Sequence, residues 1–297
     1  MIAEPAIQTA ELSKVFRGVT AVRGLNLVVE ANRITGFLGR NGAGKSTTIK
    51  MLLGLVRPTE GEGLVLGRRL TDPKANQEAR RHIAYVAEDK PLYRYMTVEQ
   101  TIRFAASFYG DWRSDVASNL LREFELPQGQ KVKHLSKGTR TKLALLLAFS
   151  RNPRLLILDE PSEGLDPVMI ERLLELMVAQ SGLGTAVFFS SHQIAEVERI
   201  SDQICILDRG RLLLDSSLER IRQDYRRIDL SFQSQVVKQD FELPGIESIE
   251  ADGRQLRILA SGNSEMIIER AHELNALSIG MEPVGLRDIF LEIVKEK

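Results

Sequence analysis

The sequence predicts an α/β protein with a β-rich N-terminal part, a helical insert over about residues 90–150, and a small α+β appendage from about residue 221. Three observations lead there. A short apolar run at residues 34–38 stands directly before a glycine loop, and residues 47–53 after it read as a helix. The aliphatic residues 155–158 read as a fully buried strand that ends on Asp159-Glu160. Beyond Ile221 the pattern changes to short alternating segments.

The elements follow in order. Residues 7–16 and 25–30 read as strands leading into the loop; residues 58–63 form a turn cluster and 64–67 a short strand. Residues 83–87 make another strand, ending at Glu88-Asp89. In the insert, Thr97-Val98-Glu99-Gln100 is a capping box that opens a helix with Val98, Ile102, Ala105 and Tyr109 along one side. A second helix spans about 114–124 with Val116, Leu120 and Phe124 facing inward, and a third opens at 135–140 and runs through 147. These stripes read as core, whereas Trp112 and the Tyr93-Arg94-Tyr95 cluster are candidates to face a partner. Helix at 168–180, strand at 185–189 tipped by Ser190-Ser191-His192, helix at 194–199, and strands at 204–207 and 211–214 complete the main part. In the appendage Ile228, Leu230 and Phe232 alternate, as do Leu256 and Ile258, followed by helices at 264–277 and 286–297. It carries no ligand motif and reads as a packing or dimerisation module.

Composition bounds the function. The 297 residues are 43% hydrophobic and 27% charged, with 40 basic and 40 acidic side chains, so no global positive field draws nucleic acid, and no nucleic-acid partner is expected. The single cysteine, Cys205, lies in an apolar run and permits no internal disulfide, which suits a reducing compartment. No signal peptide or membrane span is visible, so any work at a membrane would pass through a partner.

Residues 39–47 fit G-x-x-x-x-G-K-[ST], the phosphate-binding loop, between strand and helix as its mechanism requires. The glycines let successive N–H groups curl toward an anion, Lys45 brings a cation to the β- and γ-phosphates, and the Ser46 hydroxyl suits Mg²⁺. The loop residues Gly39, Arg40, Asn41, Gly42, Ala43, Gly44, Lys45, Ser46 and Thr47 are therefore the expected triphosphate site. Asp159 is the expected Mg²⁺ ligand, and Glu160 the group that poises a water against the γ-phosphate. His192, at a strand tip, can hydrogen-bond the γ-phosphate, and Phe16 offers a flat face to a base.

With these residues assembled, the chain resembles the nucleotide-binding subunit of an ATP-binding-cassette transporter over about residues 5–220, a P-loop NTPase cassette. The resemblance divides the chain into a cassette, residues 1–220, and an accessory part, residues 221–297. It implies that Phe16 stacks on adenine, that residues 135–139 are the signature segment, that residues 162–166, ending in Asp166, form the D-loop, and that His192 is the switch histidine. It implies ATP and Mg²⁺ as ligands and a head-to-tail dimer of ATP-binding subunits, identical or not. In that dimer Ser136 and Gly138 of one chain cap the triphosphate held by the other. It also implies a separate membrane permease and a peripheral place on the cytoplasmic face of the membrane.

Two departures stand out. Lys137 and Thr139 occupy positions where the family usually has glycine and glutamine, so Lys137 is expected either near the partner's triphosphate or in solvent. Glu88 stands where a glutamine usually contacts Mg²⁺, which makes it a candidate metal ligand alongside Ser46 and Asp159. Such variants resemble subunits serving export-type permeases for drugs, ions or polysaccharides. The rival readings are a cassette ATPase acting on ribosomes or nucleic acid, and a regulatory subunit with little turnover.

Overall fold

A computed structural model describes residues 4–235, 238–241 and 243–295. The chain divides into two compact units, Met1–Asp215 and Ser216–Lys297.

In the first unit β1 (Ile7–Phe16) turns through Arg17-Gly18 into β2 (Val19–Leu25). Both turn residues have positive φ, 46° and 85°, the twist a two-residue hairpin needs. β3 (Val28–Val29) pairs with the start of β1, so of the strand expected at 25–30 only Leu25, the last residue of β2, and Val28–Val29 are extended; Asn26 lies between them, its side chain accepting from the Glu11 N–H at 2.9 Å. β4 (Ile34–Gly39) leads through the glycine loop into α1 (Lys45–Leu52). β5 (Glu60–Val65) begins inside the expected turn cluster. Gly61 explains the discrepancy: at φ +76° it sits where the β1–β5 register shifts, and a Cβ there would fall 2.2 Å from the Glu11 carbonyl oxygen. A glycine that reads as a turn here makes a β-bulge.

β6 (Arg68–Arg69) and α2 (Pro73–Arg81) follow. No helix is legible there from apolar periodicity, because α2 buries only Asn76 and Ala79; its signal is Asp72, which caps Lys74 and Ala75 N–H groups, with Pro73 in the first turn. After β7 (Ile83–Val86) come the helices of the insert, α3 (Val98–Ala106), α4 (Ser114–Glu123) and α5 (Lys137–Phe149). The Thr97–Gln100 capping box is formed in both directions, at 3.1 and 2.9 Å. α3 stops before Tyr109, which lies in the following turn with the Arg151 guanidinium 3.7 Å from its ring centre rather than on the helix's apolar side.

The remaining elements are β8 (Leu155–Asp159), α6 (Pro167–Gly182), β9 (Ala186–Ser191), α7 (Ile194–Ile200), β10 (Gln203–Asp208) and β11 (Arg211–Ser217). β1, β2, β3, β5 and β6 form one sheet; the other runs β11-β10-β4-β9-β8-β7, parallel from β10 to β7. β4, β8 and β9 are buried along their whole length, and Phe37 of β4 meets Phe188 of β9 with ring centres 5.2 Å apart. Because these strands run parallel, Gly39, Asp159 and Ser191 leave the sheet at one edge, where α/β proteins place their ligands.

The second unit holds α8 (Leu218–Asp224), β12 (Arg226–Ser231), β13 (Ile246–Asp252), β14 (Gln255–Ala260), α9 (Ser264–Glu273), β15 (Ser278–Pro283) and α10 (Leu286–Lys295). Its sheet runs β13-β14-β12-β15, antiparallel throughout. Ile228, Leu230, Leu256 and Ile258 pack with Ile267 and Ala271 of α9 in its core. α9 ends at Glu273, four residues before the expected end, and Asn275 at φ +58° turns the chain toward β15. The end expected for the last helix, 296–297, lies outside the described residues. Among the described residues no helix is long and apolar enough to cross a membrane.

Candidate functional site

The glycine loop is built by close packing as much as by flexibility. A Cβ on Gly39 would meet the Leu207 carbonyl oxygen at 2.5 Å, and one on Gly44 the Ala21 carbonyl oxygen at 2.5 Å. Gly44, at φ +110°, is the N-cap of α1 and offers no side-chain acceptor, and no acid lies in the first turn. The opening N–H groups of α1 are thus left for an anion. Arg40, Asn41 and Gly42 are exposed at the loop crest. Ala21, residues 40–47, Glu88 and Glu160 wall a cleft of about 400 Å³.

The charged groups converge on that cleft. Lys45, only 7% exposed, donates to the Gly39 carbonyl at 2.7 Å and lies 3.2 Å from Glu160 Oε1. The other Glu160 oxygen is 2.8 Å from His192 Nδ1. Glu160 has φ +48°, a left-handed backbone that costs a branched or bulky residue about 1–3 kcal/mol unless its surroundings hold it. Here its N–H donates to the Ser190 hydroxyl at 3.0 Å, and its carbonyl accepts from Lys90 Nζ at 3.3 Å. Ser190 also donates to Asp159 Oδ1 at 2.6 Å. Burial raises the Asp159 pKa, helped by the negative charges of Glu88 and Glu160, while hydrogen bonds from Ser190 and Ser46 pull it down. The Ser46 hydroxyl reaches Glu88 Oε2 at 3.3 Å.

Ser46, Glu88 and Asp159 therefore offer hard oxygen donors beside the loop. Among the described residues no group of three or more His, Cys, Asp and Glu is arranged to hold a metal. Two carboxylates and a hydroxyl suit Mg²⁺, which keeps waters and phosphate oxygens in its shell rather than needing a full protein cage.

Gly39, Asp159 and His192 adjoin the lining residues through hydrogen bonds, Asp159 by way of Ser190, without walling the cleft, and the remaining expected site residues do not wall it either. Phe16 is 44% exposed, with Lys14 Nζ 4.8 Å from its ring centre. Ser136 caps α5, accepting from the Thr139 N–H at 3.1 Å and sharing a hydrogen bond with the Thr139 hydroxyl at 2.8 Å. Gly138 backs onto the segment after Glu160, where a Cβ would fall 2.5 Å from the Gly164 carbonyl oxygen. Asp166 caps α6, accepting from the Met169 N–H at 3.0 Å. Lys137 is largely in solvent, one of its two expected places, with its side chain 59% exposed; there it pairs with Glu163 of its own chain and holds the Glu163 carboxyl below the usual range.

Sequence reasoning did not single out Ser190, Lys90 or Glu196. Ser190 had a signal, since a serine pair at a buried strand tip needs a partner. Glu196 of α7 is 7% exposed; it accepts from Ser162 at 2.9 Å and Ser191 at 3.3 Å, and its Oε1 has no hydrogen-bond partner among the described residues. Burial pushes its pKa up. A raised folded-state pKa adds stability below the ordinary glutamate value and loses it as pH climbs through the raised one. Glu196→Gln removes that loss, so its melting temperature relative to the parent should rise as pH climbs above the ordinary glutamate value, which calorimetry over a pH series checks.

Residues 22–163 match the ABC transporter family model. The uncharacterized ABC transporter ATP-binding protein YhaQ of Bacillus subtilis (strain 168) is 32% identical over 297 residues, covering 95% of this chain and 96% of its own length. The chain belongs to the ATP-binding proteins of ABC transporters. The bacitracin transport ATP-binding protein BcrA of Bacillus licheniformis is 30% identical, with 97% of each chain covered. Among solved structures, an ATP-binding subunit of an ABC transporter superposes with TM-score 0.67 at 36% identity, covering 73% of this chain and 92% of its own. As a member of this family the protein is a nucleotide-binding ATPase, and the glycine loop lies within the matched residues.

Proposed function

We propose that the protein is the ATP-hydrolysing subunit of an export-type transporter and that two such subunits close over ATP to drive a separate permease. The observation that carries the dimer is the cleft's composition: the phosphate loop, Glu88 and Glu160 wall it, whereas Ser136 and Gly138 do not. In this reading the signature helix caps the triphosphate held by another chain, while Phe16, Asp159 and His192, which also stand outside the lining, serve the ATP of their own. Lys45 and the first N–H groups of α1 take the phosphates, Phe16 takes the base, and Glu160 orients the attacking water with His192 beside it. Ser46, Glu88 and Asp159 would hold Mg²⁺, which when bound supplies counter-charge to the phosphate oxygens. Asp166 contributes by fixing the start of α6 behind the D-loop.

The permease docks, in this reading, on the helical insert, where Tyr95, Tyr93, Phe104 and Phe108 form an exposed run of ring contacts. The export assignment draws on the bacitracin transport relative. Placement on the cytoplasmic face of the membrane follows from a permease partner, and the division into a cassette, 1–220, and an accessory module, 221–297, belongs to the same reading.

Ser136→Asp tests the dimer directly. Aspartate keeps the N-cap of α5 intact and puts a negative charge against the partner's triphosphate. Like charges across an interface cost several kcal/mol, so the ATP-driven dimer should weaken about 100-fold while single-chain ATP affinity stays within about twofold. Light scattering with ATP and a fluorescent-nucleotide titration read the two quantities. A dimer of unchanged affinity overturns the proposal.

A further inference from the structure

We propose that Lys90 is a positioning residue for hydrolysis, fixing the backbone of Glu160 from the far side of the cleft. Lys90 is 5% exposed, and its ammonium donates to the Glu160 carbonyl oxygen at 3.3 Å. With the Glu160 N–H held by Ser190 and its carbonyl shared between Lys90 and the Glu163 N–H, also at 3.3 Å, the main chain is gripped on both sides of a residue at φ +48°, and Lys90 supplies the charged one of the two donors to the carbonyl. Lys90 is itself left-handed, at φ +44°, inside a tight turn closed by Lys90 N–H to Ala87 at 3.2 Å and Leu92 N–H to Lys90 at 2.9 Å.

A purely structural residue at this point would be apolar. Burying an ammonium is costly, and the stem alone would fill the space as well as a methionine does. Burial lowers the Lys90 pKa and is the largest influence on it; Glu163, Glu88 and Asp159, as opposite charges, work against that loss, and Lys137, a like charge, adds to it. Glu88 adds a carboxylate next to a site already rich in them, and two residues later Lys90 brings a compensating cation.

The same short turn therefore touches both halves of the site. Glu88 reaches Ser46 on the phosphate loop, and Lys90 reaches Glu160. Lys90 also lines a groove of about 370 Å³ with Tyr85, Leu92, Tyr109, Leu147 and Arg151, so its stem runs from that groove to the hydrolytic residue. A shift of the turn would therefore bear on the Glu160 main chain.

The inference rests on Glu160 as the water-orienting residue, and its test separates the two. A misplacement of about 1 Å in a catalytic group costs roughly 100-fold in rate. Lys90→Met should lower kcat for ATP hydrolysis about 100-fold, with KM and ATP affinity within about threefold. Lys90→Arg, which can still donate to the carbonyl, should recover kcat to within about tenfold of the parent. Amide hydrogen exchange of the nucleotide-free protein supplies a reading independent of turnover: residues 159–164 should exchange faster in Lys90→Met and not in Lys90→Arg. Unchanged kcat in Lys90→Met overturns the proposal. So does a joint fall in kcat and ATP affinity that arginine fails to restore, since that marks general loosening. If Lys90→Met does not fold, Lys90→Gln, whose amide stops short of the carbonyl, is read by the same two measurements. Failure of Glu160→Gln to lose hydrolysis would instead strike at the underlying assignment.

Discussion

Glu160→Gln should abolish steady ATP hydrolysis, lowering kcat by about 10³-fold, while ATP affinity stays within about twofold. Both carboxylate oxygens are engaged, one 3.2 Å from Lys45 Nζ and the other 2.8 Å from His192 Nδ1. Glutamine has the same shape and keeps an oxygen for Lys45, so the loop and its cation stay in place. What it loses is the anion that can draw a proton from water. Binding should therefore survive, and ATP-bound dimers should accumulate because closing is retained while the step that opens them is blocked. Steady-state phosphate release and light scattering in the presence of ATP measure the two consequences. Near-normal phosphate release would remove Glu160 from its assigned role.

The chemistry of this chain was more legible in its sequence than some of its architecture was. The phosphate loop announces itself because its geometry demands particular residues: a Cβ at Gly39 or Gly44 runs into a carbonyl oxygen 2.5 Å away, so the spacing admits little else. The strand ending in Asp159-Glu160 is legible because four consecutive buried residues in a parallel sheet, 155–158, are all aliphatic until the chain reaches its acidic end. α2 and β15 failed the same test for the opposite reason. Their residues are mostly exposed, so no apolar period marks them; α2 is fixed by an N-cap, and β15 by pairing with β12. Gly61 was misread because sequence alone cannot distinguish a glycine that ends a strand from one that bulges it. The pairing of the solvent-exposed Lys137 with Glu163 is not legible because the two lie 26 positions apart, and only the approach of α5 to the segment after Glu160 makes them neighbours. Lys90 left no local signal at all: its partner is a backbone carbonyl 70 positions on.

Lys45→Met should abolish measurable ATP binding and also destabilise the nucleotide-free protein, two effects that a second substitution separates. Lys45 and Glu160 form an ion pair with side chains 7% and 9% exposed. Removing one member of a buried pair leaves the other charge uncompensated, at a cost of about 3–5 kcal/mol, and His192 on the opposite oxygen offsets part of it. For a unit of this size each kcal/mol is worth about 2–4 °C, so a drop of roughly 10 °C in melting temperature is expected. The Gly39 carbonyl loses a donor in the same change. In the double variant Lys45→Met with Glu160→Gln the stranded charge is gone, so most of the lost stability should return. ATP binding should not, because the cation that meets the β- and γ-phosphates is still missing. Thermal unfolding of the four proteins without nucleotide gives the coupling energy, and titration with a fluorescent ATP analogue gives the binding arm. A coupling near zero would show that Lys45 does not neutralise Glu160 before ATP arrives. The pair would then be a meeting of two solvated charges rather than the resting state of the site.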